Sequence, residues 1–124
     1  MIFVDTNVVM YAVGRSHPLR AAVRERLIEL PLGVLATSAE VMQELMHAYL
    51  PVSRHIALDA AFRLIGDRMT VWPVEEDDVR GARRLANTHA GLDARDLLHL
   101  AMCRSRAVDE LWTYDRGLAA AFAT

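Results

Sequence analysis

The chain has 124 residues, 53% of them apolar, one cysteine and a formal net charge of -2. That length fits one domain over residues 1–124 with a single hydrophobic core. The lone Cys103 excludes an internal disulfide and a four-cysteine zinc cage, and it suits a reducing, cytoplasmic setting. No apolar run reaches the ~18 residues of a bilayer span, and the N-terminus lacks a secretory pattern, so no membrane role is expected. The slight acidity argues against a purely electrostatic nucleic-acid binder. All 14 residues counted as Lys plus Arg are Arg, and the planar guanidinium still permits local phosphate recognition.

Ile2-Phe3-Val4 is an apolar run that reads as a buried strand ending at Asp5. A short helix is expected from Asn7 to Val13, stopped by Gly14. A second helix fits Leu19 to Leu30, with Pro18 in its first turn and Ala22, Val23, Leu27 and Leu30 at helical spacing. Val34-Leu35-Ala36 reads as a second strand. Thr37-Ser38-Ala39-Glu40 then reads as a capping box, Thr37 with Glu40, opening a helix that runs to about Leu50.

A further helix fits Ser53 to Gly66, and a third strand Met69 to Pro73. Glu75-Glu76-Asp77-Asp78 puts four acids where a helix dipole welcomes them, and that helix is expected to end near Ala90 before Gly91. Asp93 suits the cap of a helix from Ala94 to about Arg106. Glu110 to Tyr114 reads as a fourth strand, with a last short helix after Asp115. Apolar strands alternating with helices predict an α/β fold, a short central parallel sheet of about four strands flanked by helices.

Ligands in such sheets bind at the carboxyl ends of the strands, which sorts the acids. Asp5 and Asp115 follow strands one and four. Glu44 lies about two turns into the helix after strand two. Asp96 lies in the first turn of the helix before strand four. Carboxylates converging on one point repel each other unless a cation neutralises them. Hard oxygen donors favour Mg2+ or Mn2+, and such an ion can activate water against a phosphodiester.

Each acid also has a simpler explanation. Asp5 and Asp115 suit turns or caps, Asp93 is first of all a cap, and Asp96 favours the positive end of its helix. Glu44 alone is more often a solvated helix residue. The acidic run 75–78 reads as a solvated helix start without chemistry. His99, one turn after Asp96, could face the site, but reads first as a hydrogen-bonded core or interface residue. His17, His47, His55 and His89 show no metal spacing. Cys103 reads as packing, and Trp72 and Trp112 as core. Met42, Met46, Tyr49 and Leu50 form an apolar stripe, either core or a dimer surface.

Four blocks in order resemble the PIN-domain ribonucleases, specifically the VapC-type toxins of bacterial toxin-antitoxin pairs. They are Phe3-Val4-Asp5-Thr6-Asn7, Gln43-Glu44-Leu45 after Thr37-Ser38, Ala94-Arg95-Asp96-Leu97-Leu98-His99, and Thr113-Tyr114-Asp115. The resemblance implies a PIN-like domain whose catalytic acids are Asp5, Glu44, Asp96 and Asp115, with Asp5, Asp96 and Asp115 on the metal. It implies that Thr113 and Asn7 support the site and that Asp93 is an accessory acid. It further implies Mg2+- or Mn2+-dependent cleavage of structured RNA, commonly tRNA or rRNA, a homodimer, and inhibition by a small cognate antitoxin laid over the acids. Arg116-Gly117-Leu118 departs from members that carry another acid or an aromatic there. A strand-end-Asp phosphatase would want an acid where Asn7 stands, and a receiver-like module would want a Lys. A non-catalytic PIN-like RNA-binding or interaction module is the alternative.

Overall fold

In the computed structural model, which describes residues 1–124, every strand hands the chain directly to a helix or a short turn. The order is β1 (Ile2–Val4), α1 (Thr6–Val13), α2 (Arg20–Glu29), β2 (Leu35–Ser38), α3 (Ala39–Tyr49), α4 (His55–Arg68), β3 (Thr70–Trp72), α5 (Glu76–Leu85), α6 (Ala94–Ser105), β4 (Glu110–Trp112) and α7 (Arg116–Ala123). Helical crossovers of this length force parallel pairing. The sheet runs β3-β2-β1-β4, with Ile2 opposite both Leu35 and Glu110, and Ala36 opposite Thr70. The expected four-stranded parallel α/β fold is what the chain adopts.

The strand order reverses at β1: the chain steps outward through β2 and β3, then returns to β1's other side as β4. The carboxyl ends of β1 and β4 therefore flank a topological switch point, where diverging crossovers leave a crevice. Asp5 and Thr113, the residues next after these strands, stand at it.

The core explains why β1 is central. Phe3, Val4, Val8, Val9, Leu35, Leu45, Leu100 and Leu118 are all at most 1% exposed and belong to one cluster. Removing a buried Leu from such a site costs about 2–5 kcal/mol. Arg68, at the end of α4, donates to the carbonyls of Leu27 (2.9 Å) and Leu30 (2.7 Å). It thereby satisfies acceptors that the end of α2 leaves open.

Several boundaries differ from the sequence expectation. The cap of α3 is Ser38, whose hydroxyl accepts from Val41 N–H at 3.2 Å. Thr37 lies inside β2 and donates to Val4 O at 2.9 Å, so its hydroxyl serves the sheet instead. The helix expected to reach Ala90 ends at Leu85, because Asn87 and Thr88 turn off with shorter-range bonds to Arg84 and Leu85. Gly66 is absorbed inside α4, which runs to Arg68. Pro18 sits in the turn before α2, not in its first turn. Trp112 is buried, whereas Trp72 on edge strand β3 is half-buried, stacked on Phe3 at 6.2 Å.

The acidic run also needs correction. Asp78 is 5% exposed. It accepts from both terminal nitrogens of Arg106 at 2.9 and 3.0 Å, and from Glu75 N–H at 2.9 Å, closing a capping box. Glu76 and Asp77 remain on the solvent side. Arg106 in turn lies 5.3 Å from the Trp72 ring.

Candidate active site

Asp5 is the N-cap of α1, so the strand-to-helix step itself aims its carboxylate into the crevice. Its Oδ1 accepts from Thr6 N–H at 2.8 Å and its Oδ2 from the Thr113 hydroxyl at 2.6 Å. Asn7 Nδ2 reaches both Asp5 Oδ2 (3.4 Å) and Thr113 Oγ1 (3.3 Å), and Asn7 Oδ1 accepts from Tyr114 N–H at 3.2 Å. Thr113 Oγ1 also accepts from Asp115 N–H at 3.0 Å. Asn7 and Thr113 thus fasten the start of α1 to the segment leaving β4. Asp5 itself is 5% exposed, a burial that only such charge-assisted bonds make tolerable.

Glu44 comes from α3, half-buried, and is held from both sides. The Thr6 hydroxyl donates to its Oε2, and His99 Nε2 lies 2.8 Å from its Oε1. His99 is 1% exposed and also lies 3.7 Å from Asp5 Oδ1. Ligating atoms of Asp5, Glu44 and His99 all fall within 4.8 Å of one another.

Asp96 occupies the first turn of α6, one turn before His99. Its backbone N–H donates to Asp93 Oδ1 at 2.9 Å, so Asp93 is the cap that the sequence suggested. Asp93 also faces Arg95 at 3.6 Å. Asp115 is exposed and caps α7, accepting from Leu118 N–H at 3.0 Å.

The charges show that these groups feel one another. Burial, then the charges of Asp93, Asp115 and Asp5, push the Asp96 carboxyl up to about 6. Burial works to raise Glu44, but the hydrogen bond and charge of His99 outweigh it and leave Glu44 below its usual range. Burial likewise disfavours the His99 imidazolium, yet Glu44, Asp5 and Asp96 hold its pKa above the ordinary value. Burial pushes the Cys103 thiol up to about 12, which makes it an inert packing group.

His99 was expected to be a buried hydrogen-bonded residue. It is one, and the alternative that it faces the site also holds, because its partner is Glu44. The spacing of Asp96 and His99 on one helix face was the available signal. No signal marked Thr6 as the donor to Glu44, since that contact depends on how α1 and α3 pack.

The donor set fits a divalent cation. Asp5 and Glu44 offer oxygens at close range, and the Asp96 carboxyl, raised by burial and then by neighbouring acids, is one whose ionised form a hard cation would stabilise. The imidazole of His99 already engages Glu44, so it acts on that acid's orientation.

Comparisons with known proteins show the family. The PIN domain pattern matches residues 2–122. The chain is 55% identical over 125 aligned positions to Ribonuclease VapC23 of Mycobacterium tuberculosis, covering 98% of both chains. Among solved structures, VapC20 of Mycobacterium tuberculosis, described as a sarcin-ricin loop cleaving toxin, superposes with a TM-score of 0.84 at 20% identity, over 98% of this chain and 95% of that one. A toxin-antitoxin complex from Klebsiella pneumoniae gives 0.67 at 18% identity, over 93% and 87%. With its four-stranded parallel sheet and its acids at the β1/β4 switch point, the chain belongs to the PIN-domain family, on the VapC branch.

Proposed function

We propose that this chain is a divalent-metal-dependent endoribonuclease and the toxin of a toxin-antitoxin pair. The observation that carries the reading is the convergence of Asp5, Glu44 and His99 at the switch point, beside an Asp96 carboxyl pushed up to about 6 by burial and then by the charges of Asp93, Asp115 and Asp5. Asp5, Asp96 and Asp115 are the proposed ligands, and Mg2+ or Mn2+ is the proposed ion. The bound ion supplies charge neutralisation for the phosphate and acidifies water for attack.

The chain's own residues do the rest. Thr113 and Thr6 N–H fix the two oxygens of Asp5. Thr6 and His99 hold Glu44 as a charged carboxylate able to take a proton from the attacking water. Asn7 braces Asp5 against Thr113, and Asp93 anchors the start of α6 so that Asp96 keeps its place. Structured RNA, tRNA or rRNA, is the proposed substrate. A small cognate antitoxin, a homodimer and a cytoplasmic location complete the reading. The names of the relatives support the substrate and the antitoxin, and no helix here is long and apolar enough to cross a membrane.

Purified protein is expected to cut RNA with Mg2+ or Mn2+ and to stop when the ion is chelated. Asp5→Asn and Asp96→Asn are each expected to abolish cutting. Wild-type cleavage by both variants would overturn the site.

A further inference from the structure

All three tyrosines of the chain gather in one place. Tyr11 and Tyr49 line a cavity of about 330 Å³ between the C-terminal ends of α1 and α3. Tyr114 meets Tyr11 edge-on at 5.2 Å, and the imidazole of His17 lies over Tyr11 at 4.4 Å. The cavity also carries two arginines, exposed Arg15 and half-buried Arg54. The Arg54 guanidinium stands 5.7 Å from the Tyr49 ring. Tyr49 is 3% exposed, and its hydroxyl has no hydrogen-bond partner. Such a group is costly to leave unpaired. Gly14 keeps the end of α1 close: a Cβ there would fall 2.6 Å from Met10 O and 3.0 Å from the Tyr49 hydroxyl.

This cavity is in line with the acidic cluster. Asn7, Tyr11 and Gly14 follow one another along one face of α1, as Glu44 and Ala48 do along α3. Seven residues of helix separate Asn7, beside the acids, from Gly14, in the cavity lining, by about 10 Å. That is roughly three stacked nucleotides at ~3.4 Å each. Aromatic faces beside guanidinium groups are the chemistry that holds single-stranded nucleic acid.

We propose that this groove is a base-stacking subsite for a single-stranded stretch of RNA leading to the acidic cluster. A base lies against Tyr11 and His17, and Arg15 and Arg54 take the flanking phosphates. The proposal rests on the ribonuclease reading for the identity of the ligand as RNA, but its test needs no cleavage. Affinity for a short labelled single-stranded oligoribonucleotide is measured with metal chelated, for wild type, Tyr11→Phe, Tyr11→Leu and Arg15→Glu.

Tyr11→Leu and Arg15→Glu are each expected to weaken binding about tenfold, the loss typical of one stacked base or one phosphate contact, and Tyr11→Phe to retain it. Arg15 is exposed, so Arg15→Glu decides the matter if Tyr11→Leu melts early. Unchanged affinity in a folded Arg15→Glu protein overturns the subsite, even where wild type cuts RNA. Loss of antitoxin binding with RNA affinity intact assigns the groove to a protein partner and equally overturns it. Weakened binding in a protein whose wild type cuts no RNA supports the subsite and counts against the nuclease reading alone.

Discussion

His99 Nε2 sits 2.8 Å from Glu44 Oε1 in a position 1% exposed to solvent. The pairing fixes the rotamer of a site acid from inside the protein. His99 Nδ1 has no partner, so the ring is dedicated to the carboxylate side. Replacing His99 by Leu removes the donor and leaves Glu44 half-buried with only Thr6. Groups that orient ligands in this way typically cost 10–100-fold in activity or metal affinity when lost. His99→Leu is expected to reduce the cleavage rate by about that factor, whereas His99→Gln, which can still donate, recovers part of it. Comparing rates at saturating metal separates the two effects. A His99→Leu protein that is as active as wild type would remove His99 from the site.

Asp96 gives the site a pH dependence. Its carboxyl is raised to about 6 by burial and by Asp93, Asp115 and Asp5. Below that value it is protonated and neutral; above it the charge is present and unfavourable without a cation. A folded-state pKa above the unfolded value of about 3.9 means that, for this group, the metal-free fold loses stability as pH rises from about 4 through 6. A divalent ion binds the ionised form only, so protons compete with it. The rise in Tm on adding Mn2+ is expected to be large at pH 7.5 and to shrink below pH 6. Asp96→Asn is expected to raise the Tm of the metal-free protein and to lose most of the Mn2+ response. A Mn2+ response independent of pH, or preserved in Asp96→Asn, would contradict this account.

The elements most legible in the sequence were those where one local force dominates. Ile2-Phe3-Val4 is uniformly apolar and could only be a buried strand, and Asp5, Asp93 and Asp115 each fulfil their cap signals. The carboxyl-end rule for parallel sheets led to one rim as the expectation for Asp5, Glu44, Asp96 and Asp115, and the structure brings oxygens of Asp5 and Glu44 within 4.8 Å of each other. What escaped was decided by tertiary packing. Thr37 carries a cap signature, but pairing of β2 with β1 uses its hydroxyl first. Asp78 resembles its solvated neighbours in sequence, and only the arrival of Arg106 from the end of α6 draws it inward. His99 has an apolar neighbourhood in sequence and an acidic one in space.

That buried pair has its own consequence. Asp78 is held by two bonds from Arg106 and one from the Glu75 backbone, and the Arg106 hydrogen bond, set against burial, keeps its carboxyl below the usual range. A lowered folded-state pKa adds stability above the unfolded value of about 3.9, and that stability is lost as pH falls through the lower folded value. Arg106 is half-buried, so removing one member of the pair costs less than the full buried-pair penalty, up to about 3 kcal/mol. Asp78→Ala is expected to destabilise the fold by up to about 3 kcal/mol in urea at pH 7, with the difference from wild type narrowing toward pH 3. Arg106→Leu is expected to behave alike. A difference that stays constant with pH would show that packing, not the charge pair, sets the effect.

Thr113 offers the sharpest separation of site from scaffold. Its single hydroxyl donates to Asp5 Oδ2 at 2.6 Å and accepts from Asn7 Nδ2 and Asp115 N–H. One side chain thus joins two proposed ligands and the residue that braces them. Thr113→Val keeps the volume but loses the donor to a buried carboxylate and both acceptor contacts. A hydrogen bond to a charged group contributes about 1.5–3 kcal/mol, and Asp5 then has one fewer partner in a site of low dielectric. The expected result is weaker metal binding by calorimetry and cleavage reduced at least tenfold. Thr113→Ser retains the hydroxyl and is expected to stay within a few-fold of wild type. If Ser and Val variants bind metal equally well, the hydroxyl has no hold on Asp5, and the β1/β4 junction is a structural joint only.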